Sequence, residues 1–127
     1  MTNPADLSAV DLIAAYRGKA LSPVEVIEAV LSRIDAFEPR LHATYALDPE
    51  GAREAARQSE QRWARGEPAG TLDGVPITIK DNIATKGTPV PLGTAATILT
   101  PAVADAPPAA RVREAGAVIL GKTTMPD

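Results

Sequence analysis

Two apolar segments in the second half of the chain constrain the fold more than any other feature. Residues 75–79 and 117–120 have the length and the branched side chains of buried strands. Between them lie a stretch rich in Gly, Pro and Thr, residues 84–101, and a short helix that we expect Asp105 to cap and Gly116 to end. A strand, a loop, a helix and a strand in this order predict a βαβ unit with parallel strands and a right-handed crossover.

The first half of the chain has the pattern of helices. Ser8 is expected to cap the first helix, and residues 22–25 (Ser-Pro-Val-Glu) combine a serine cap, a proline at the first helical position and a glutamate three residues after the cap. Apolar residues then recur at helical spacing until Pro39, which should end the second helix. A short extended segment, residues 41–47, precedes a third helix that begins after Asp48.

Length and pattern together predict an α/β fold. A chain of 127 residues suits one domain, with N-terminal helices in residues 1–66 followed by the strand-loop-helix-strand unit in residues 72–127. The long loop is a natural place for function, since structureless stretches of this length in compact domains often carry binding or catalytic groups.

Composition excludes several function classes. The net charge of −3 and the scattered basic residues argue against a nucleic-acid partner. Cysteine is absent and His42 is the only histidine, so no disulfide, thiolate nucleophile or multi-histidine metal site is expected, and no cofactor is predicted. The N-terminus lacks the basic head and apolar run of a secretory signal, and no stretch reaches transmembrane length. The expected location is therefore the cytoplasm, without a membrane partner.

Lys80 is the candidate catalytic residue. It follows the first apolar strand directly and precedes the long loop, and ligands of open α/β sheets bind beyond the carboxyl ends of the strands. Partial removal of water disfavours an ammonium ion, so a lysine in such a place can become a proton acceptor. Alternation along the strand should turn Asp81 away from Lys80. The alternative is a strand-end lysine in solvent, the commoner state of lysine side chains.

Residues 116–123, from Gly116 to Thr123, match the phosphate-loop pattern G-x-x-x-x-G-K-[ST], which makes a nucleotide-binding module an alternative function. Local structure opposes this alternative, because the four central positions are aliphatic and favour a buried strand.

A second alternative is a non-catalytic, truncated interaction module. Its open sheet edge and uncovered apolar face would recruit a partner or a second copy in a homo-oligomer.

Two segments resemble the amidase signature family: residues 72–83 (LDGVPITIKDNI) and residues 113–126 (REAGAVILGKTTMP). The early helices around residues 21–26 are similar to the opening of that family as well. The resemblance implies an α/β/α sandwich around a large mixed sheet, of which residues 1–127 are an incomplete N-terminal segment. It also implies a cofactor-independent hydrolase or transferase acting on a small-molecule carboxamide.

The family's catalytic triad is a serine nucleophile, a second serine with a cis peptide bond, and a lysine that exchanges a proton with this bridging serine. Lys80 matches the lysine. The serines of this chain all lie in the helical half, at positions 8, 22, 32 and 59, so the resemblance implies that both family serines lie beyond Asp127 and that the isolated chain is inactive. At Gly93-Thr94 the family more usually has Gly-Ser.

Overall fold

The computed structural model describes residues 2–93 and 99–125. One turn of 3-10 helix (Pro4–Asp6) precedes four α-helices and three β-strands in these ranges. In chain order these are α1 (Ala9–Arg17), α2 (Pro23–Leu41), β1 (Thr44–Tyr45), α3 (Pro49–Ala64), β2 (Pro76–Lys80), α4 (Pro107–Glu114) and β3 (Val118–Thr123). No helix in the described ranges is long and apolar enough to cross a membrane.

The three strands form one mixed sheet in the order β1-β3-β2. β2 and β3 run parallel, with Pro76 paired to Val118 and Lys80 paired to Thr123. This confirms the predicted parallel pair on either side of α4. β1 lies antiparallel on the other edge of β3. β3 is therefore the central strand, and it extends three residues beyond the apolar run, through Gly121 and Lys122 to Thr123.

The core lies between the sheet and the helices α2 and α3. Val118 and Leu120 of β3 pack against Ile27 and Leu31 of α2 and against the small side chains of Ala52 and Ala56 of α3. A second buried cluster joins α1, α2 and α3; its residues are Leu12, Tyr16, Val26 and Trp63. The helices thus fix the central strand from one side, and the parallel partner β2 is fixed through β3.

The predicted helix starts at Ser8, Ser22 and Asp48 are confirmed. Each side-chain oxygen accepts a hydrogen bond from the backbone amide three residues later. At Ser22 the capping box is complete, because the Glu25 carboxylate also accepts from the Ser22 amide, both bonds being 3.3 Å long.

Two predicted helix boundaries are wrong. Pro39 does not end α2, which continues to Leu41 and stops at His42 with φ of +49°. Pro39 lacks the amide that would donate to the carbonyl of residue 35, but the amide of His42 still donates to the carbonyl of Glu38 (2.9 Å), so the last turn closes after the proline. Asp105 does not cap α4, whose cap residue is Ala106. Instead, the carboxylate of Asp105 accepts hydrogen bonds from the amide of Lys86 and the guanidinium of Arg113.

Loss of the α2 cap has a predictable effect on stability. We expect Ser22→Ala to lower the free energy of unfolding by about 1 kcal/mol, because it removes the hydroxyl that accepts from the first turn. The control is Ser32→Ala, the same change at an exposed position inside α2, where we expect a change within about 0.5 kcal/mol. Urea unfolding measures both. Equal losses for the two variants would contradict the capping role of Ser22.

Candidate active site

Lys80 is the last residue of β2, at the carboxyl end of a parallel strand as predicted. Its side chain is exposed, whereas the preceding Ile79 is buried. The partial burial that we expected for Lys80 is therefore not provided by the described residues, and the exposed alternative is the one found in this chain. The reason lies in the topology, because β2 forms an edge of the three-stranded sheet and no described strand pairs with its free side.

An apolar groove of about 150 Å³ lies beside Lys80, between β2 and α4. Its lining is aliphatic apart from Thr78 and Lys80 itself; the residues are Ile77, Thr78, Ile79, Lys80, Ile83, Pro108, Ala109 and Val112. An amine at the side of an apolar groove can be desolvated by whatever fills that groove. The groove therefore supplies one wall of a site.

Asp81 anchors the long loop to the end of β2. Its amide donates to the carbonyl of Thr123, and its side chain is 1% exposed. The carboxylate accepts hydrogen bonds from the amides of Leu92 (2.7 Å) and Gly93 (3.2 Å). Asp81 is thus buried while Lys80 is exposed, as strand alternation predicts, and its charge is engaged by the loop.

The sequence indicated Lys122 only as part of the phosphate-loop pattern and did not predict that this lysine is buried. Its side chain is 0% exposed, and its Nζ donates to the carbonyl oxygens of Asp81 (3.2 Å) and Ile83 (2.6 Å). Burial lowers the pKa of Lys122, and the negative charge of Asp81 opposes part of that shift. The phosphate-loop interpretation is wrong, because residues 118–123 form a strand and this lysine binds peptide carbonyls.

Tyr45 of β1 pairs with Lys122 across the two neighbouring strands and contacts the long loop. Its ring centre lies 6.0 Å from the Nζ of Lys122, and its hydroxyl donates to the carbonyl of Pro89 in the long loop (3.1 Å). Burial raises the pKa of Tyr45 to about 12, with a further contribution from Asp81. The tyrosine therefore stays neutral and serves as a hydrogen-bond donor to the loop.

The serines lie where the sequence predicted, away from the strand ends. Ser8 and Ser22 cap α1 and α2, and Ser32 is exposed on α2. Ser59 is buried in α3 and donates to the carboxylate of Asp73 (2.7 Å). None of the four belongs to the strands or loop around Lys80. Thr94, which we singled out beside Gly93, lies outside the described residues.

Asp73 fixes the chain just before β2. Its carboxylate is 0% exposed and accepts four hydrogen bonds of 2.7 Å: two from the guanidinium of Arg62, one from Ser59 and one from the amide of Ala69. Its carbonyl accepts from the indole of Trp63 at 3.1 Å. Burial alone raises the pKa of Asp73, but these donors outweigh burial and hold the pKa below its ordinary value.

Helices that precede a mixed sheet, with a lysine at the carboxyl end of a parallel strand, define the chain as part of an α/β domain, and ligands of open α/β sheets bind at such strand ends. The family model described as Amidase matches residues 25–127. The chain belongs to this family, and its match to a solved structure of an amidase signature enzyme confirms the resemblance drawn from residues 72–83 and 113–126.

The relatives include enzymes whose names point to different amides. The chain is 42% identical over 125 residues to a glutamyl-tRNA(Gln) amidotransferase subunit of Salinispora tropica, covering 98% of this chain and 26% of that protein. It is 41% identical over 120 residues to indoleacetamide hydrolase of Bradyrhizobium diazoefficiens, covering 94% and 23%. A bacterial aryl acylamidase of the amidase signature family superposes with a TM-score of 0.84 at 31% identity, covering 94% and 25%. The chain thus spans about a quarter of the length of these relatives.

Proposed function

We propose that residues 1–127 are the N-terminal segment of a single amidase domain that cleaves the C–N bond of a small carboxamide. The observation that carries this proposal is Lys80 at the carboxyl end of β2, inside the segment that the amidase family model matches. The helices of residues 1–66 pack against the central strand β3, and the strand-loop-helix-strand unit of residues 72–127 contains Lys80. We use "complete amidase domain" for this chain together with the remainder that its longer relatives contain.

Lys80 is proposed as the base of a serine-serine-lysine triad. Its neutral amine would accept the proton of a bridging serine as that serine takes the proton of the nucleophilic serine. The nucleophile attacks the amide carbon, and backbone amides hold the oxyanion that forms. The proton then returns along the same path to the leaving nitrogen, amine or ammonia departs, and water hydrolyses the acyl-serine ester that remains. Both serines would come from chain outside these 127 residues, since the four serines present lie at helix caps or within helices, away from Lys80.

The exposure of Lys80 explains why the isolated chain should be inactive. A lysine works as a base only when its amine is neutral at the working pH, and removal of water is what favours the neutral form. In the described part of this chain the groove beside Lys80 is open and β2 is an edge strand. Further strands and loops packed on that side would cover the amine and complete the site.

The test is amide hydrolysis by the complete amidase domain and by the 127-residue chain. The panel holds an arylacetamide and an anilide, which follow the names indoleacetamide hydrolase and aryl acylamidase among the relatives, together with an aliphatic primary amide and glutamine as further carboxamides. We expect release of amine or ammonia from at least one substrate by the complete amidase domain and none by the chain alone. Hydrolysis by the purified chain, or a folded domain that cleaves no member of the panel, would contradict the proposal.

A further inference from the structure

We propose that Lys122 is a positioning residue for Lys80: its ammonium holds two carbonyls of the turn that follows Lys80 and thereby fixes the backbone from which that side chain projects. This inference rests on the function proposed above. It assigns a role to the Gly-Lys-Thr segment, which matches a phosphate-binding pattern but binds the protein's own peptide groups.

The hydrogen bonds around this turn place Lys122 at its centre. The backbone of Lys80 pairs with Thr123, the residue next to Lys122. The amide of Asp81 donates to the carbonyl of Thr123 (3.0 Å), and the amide of Ile83 donates back to the carbonyl of Lys80 (3.0 Å). Backbone bonds thus satisfy these two amides of the turn, and the Nζ of Lys122 satisfies the carbonyls of Asp81 and Ile83.

Packing alone does not explain a lysine at this position. Placing an ammonium at a fully buried site has a high cost in free energy, and methionine has similar length without that cost. What an ammonium adds is three donors on one atom, which can bind carbonyls from different residues. The Tyr45 ring, 6.0 Å from the Nζ, and the charge of Asp81 favour the cation there.

The turn held by Lys122 is also the point where the long loop is attached. The carboxylate of Asp81 binds the amides of Leu92 and Gly93, so a shift of this turn would move Lys80 and the loop together. Misplacement of a catalytic group by about 1 Å can reduce the rate by about 10²-fold. The effect of losing Lys122 should therefore fall on turnover, with little effect on substrate binding.

The experiment compares Lys122→Met with Lys86→Met in the complete amidase domain, using one amide substrate. Lys86 is an exposed lysine of the same long loop, so it controls for the loss of a positive charge. We expect Lys122→Met to lower kcat per folded molecule by about 10- to 100-fold and to leave KM within about threefold of the parental value. For Lys86→Met we expect a kcat within about twofold of the parental value. Lys122→Arg, which keeps a cation with several donors, should recover about fivefold or more of the lost kcat.

The pH profile separates positioning from simple destabilisation. We expect the pH profile of kcat/KM to differ from that of the parent in Lys122→Met and to match it in Lys86→Met, since only loss of Lys122 changes the position of the proposed base in the complete amidase domain. If Lys122→Met does not fold, Lys122→Gln, which keeps one donor group, should fold and show a kcat about 3- to 10-fold below the parent.

Three outcomes would overturn the inference. The first is a folded Lys122 variant with the parental kcat and pH profile, and the second is a loss of kcat in Lys86→Met equal to that in Lys122→Met. The third is a loss of activity in Lys122→Met that is fully accounted for by the fraction of unfolded protein. Activity retained by a Lys80 variant would instead refute the proposed function, so the two failures can be told apart.

Discussion

Replacement of Lys80 by alanine in the complete amidase domain is expected to lower kcat by about 10⁴-fold, because the triad loses the base that activates the nucleophile. In the 127-residue chain, where this side chain is exposed, the same replacement should change the free energy of unfolding by no more than about 0.5 kcal/mol. Steady-state kinetics of the complete amidase domain and urea unfolding of the 127-residue chain measure the two quantities.

Lys80→Arg separates the base from the positive charge. Arginine keeps a cation at the end of β2 but does not lose its proton in proteins. We therefore expect it to be as inactive as alanine if Lys80 acts as a base, and substantially active if the charge only binds or orients the substrate. Lys86→Ala, at an exposed lysine of the adjacent loop, serves as the control and should retain parental activity. Near-normal turnover by Lys80→Ala would exclude the proposed mechanism.

The parts of the fold that the sequence predicted are those set by local patterns. A serine, a proline and a glutamate at fixed spacing specify the start of α2 through bonds within its first turn. The apolar runs at residues 75–79 and 117–120 have the length and branched side chains of strands, and the helix between them favours a parallel pairing, which the structure shows. The position of Lys80 at a strand end followed from the same patterns.

The parts that the sequence did not predict depend on contacts between distant residues. The antiparallel pairing of Thr44 and Tyr45 with β3 joins segments about eighty residues apart and leaves no mark in their composition. The residues around Lys122 likewise give no sign that its side chain binds carbonyls at the end of β2. At Asp105 the local cap pattern was overridden by the amide of Lys86 and the guanidinium of Arg113, which together occupy both carboxylate oxygens.

The exposure of Lys80 was not predicted for a different reason than the long-range contacts. Strand alternation and position are local properties, but the amount of water around a side chain depends on every element that packs nearby. The described residues form only one wall beside Lys80, the groove between β2 and α4. Local sequence patterns can therefore identify the residue that carries the chemistry without predicting how exposed that residue is in this chain.

The largest effect on stability is expected at Asp73. We predict that Asp73→Asn lowers the free energy of unfolding by about 3 kcal/mol, because it leaves the Arg62 guanidinium without its carboxylate and replaces one of the two acceptor oxygens by an amide donor, so that either Ser59 or the amide of Ala69 loses its acceptor. The value is at the lower end for a broken buried pair, since the side chain of Arg62 is 26% exposed and keeps some water. Urea unfolding near neutral pH measures the loss.

The control for Asp73→Asn is Glu67→Gln, the same change from carboxylate to amide in an exposed pair with Arg65 at 3.7 Å. Exposed pairs contribute little, so we expect a loss below about 0.5 kcal/mol. Losses of similar size in the two variants would show that the buried network around Asp73 does not stabilise the fold.

The pH dependence provides a second test of Asp73. Its pKa is lower in the folded protein than the ordinary aspartate value of about 3.9, which the unfolded chain retains. The carboxylate therefore stabilises the fold fully above that ordinary value, and this contribution is lost as the pH falls through the folded-state pKa. The difference in unfolding free energy between the parent and Asp73→Asn should be constant near neutral pH and shrink below about pH 4. A difference that stays constant under acid would mean that hydrogen-bond geometry, and not the negative charge, accounts for the stabilisation by Asp73.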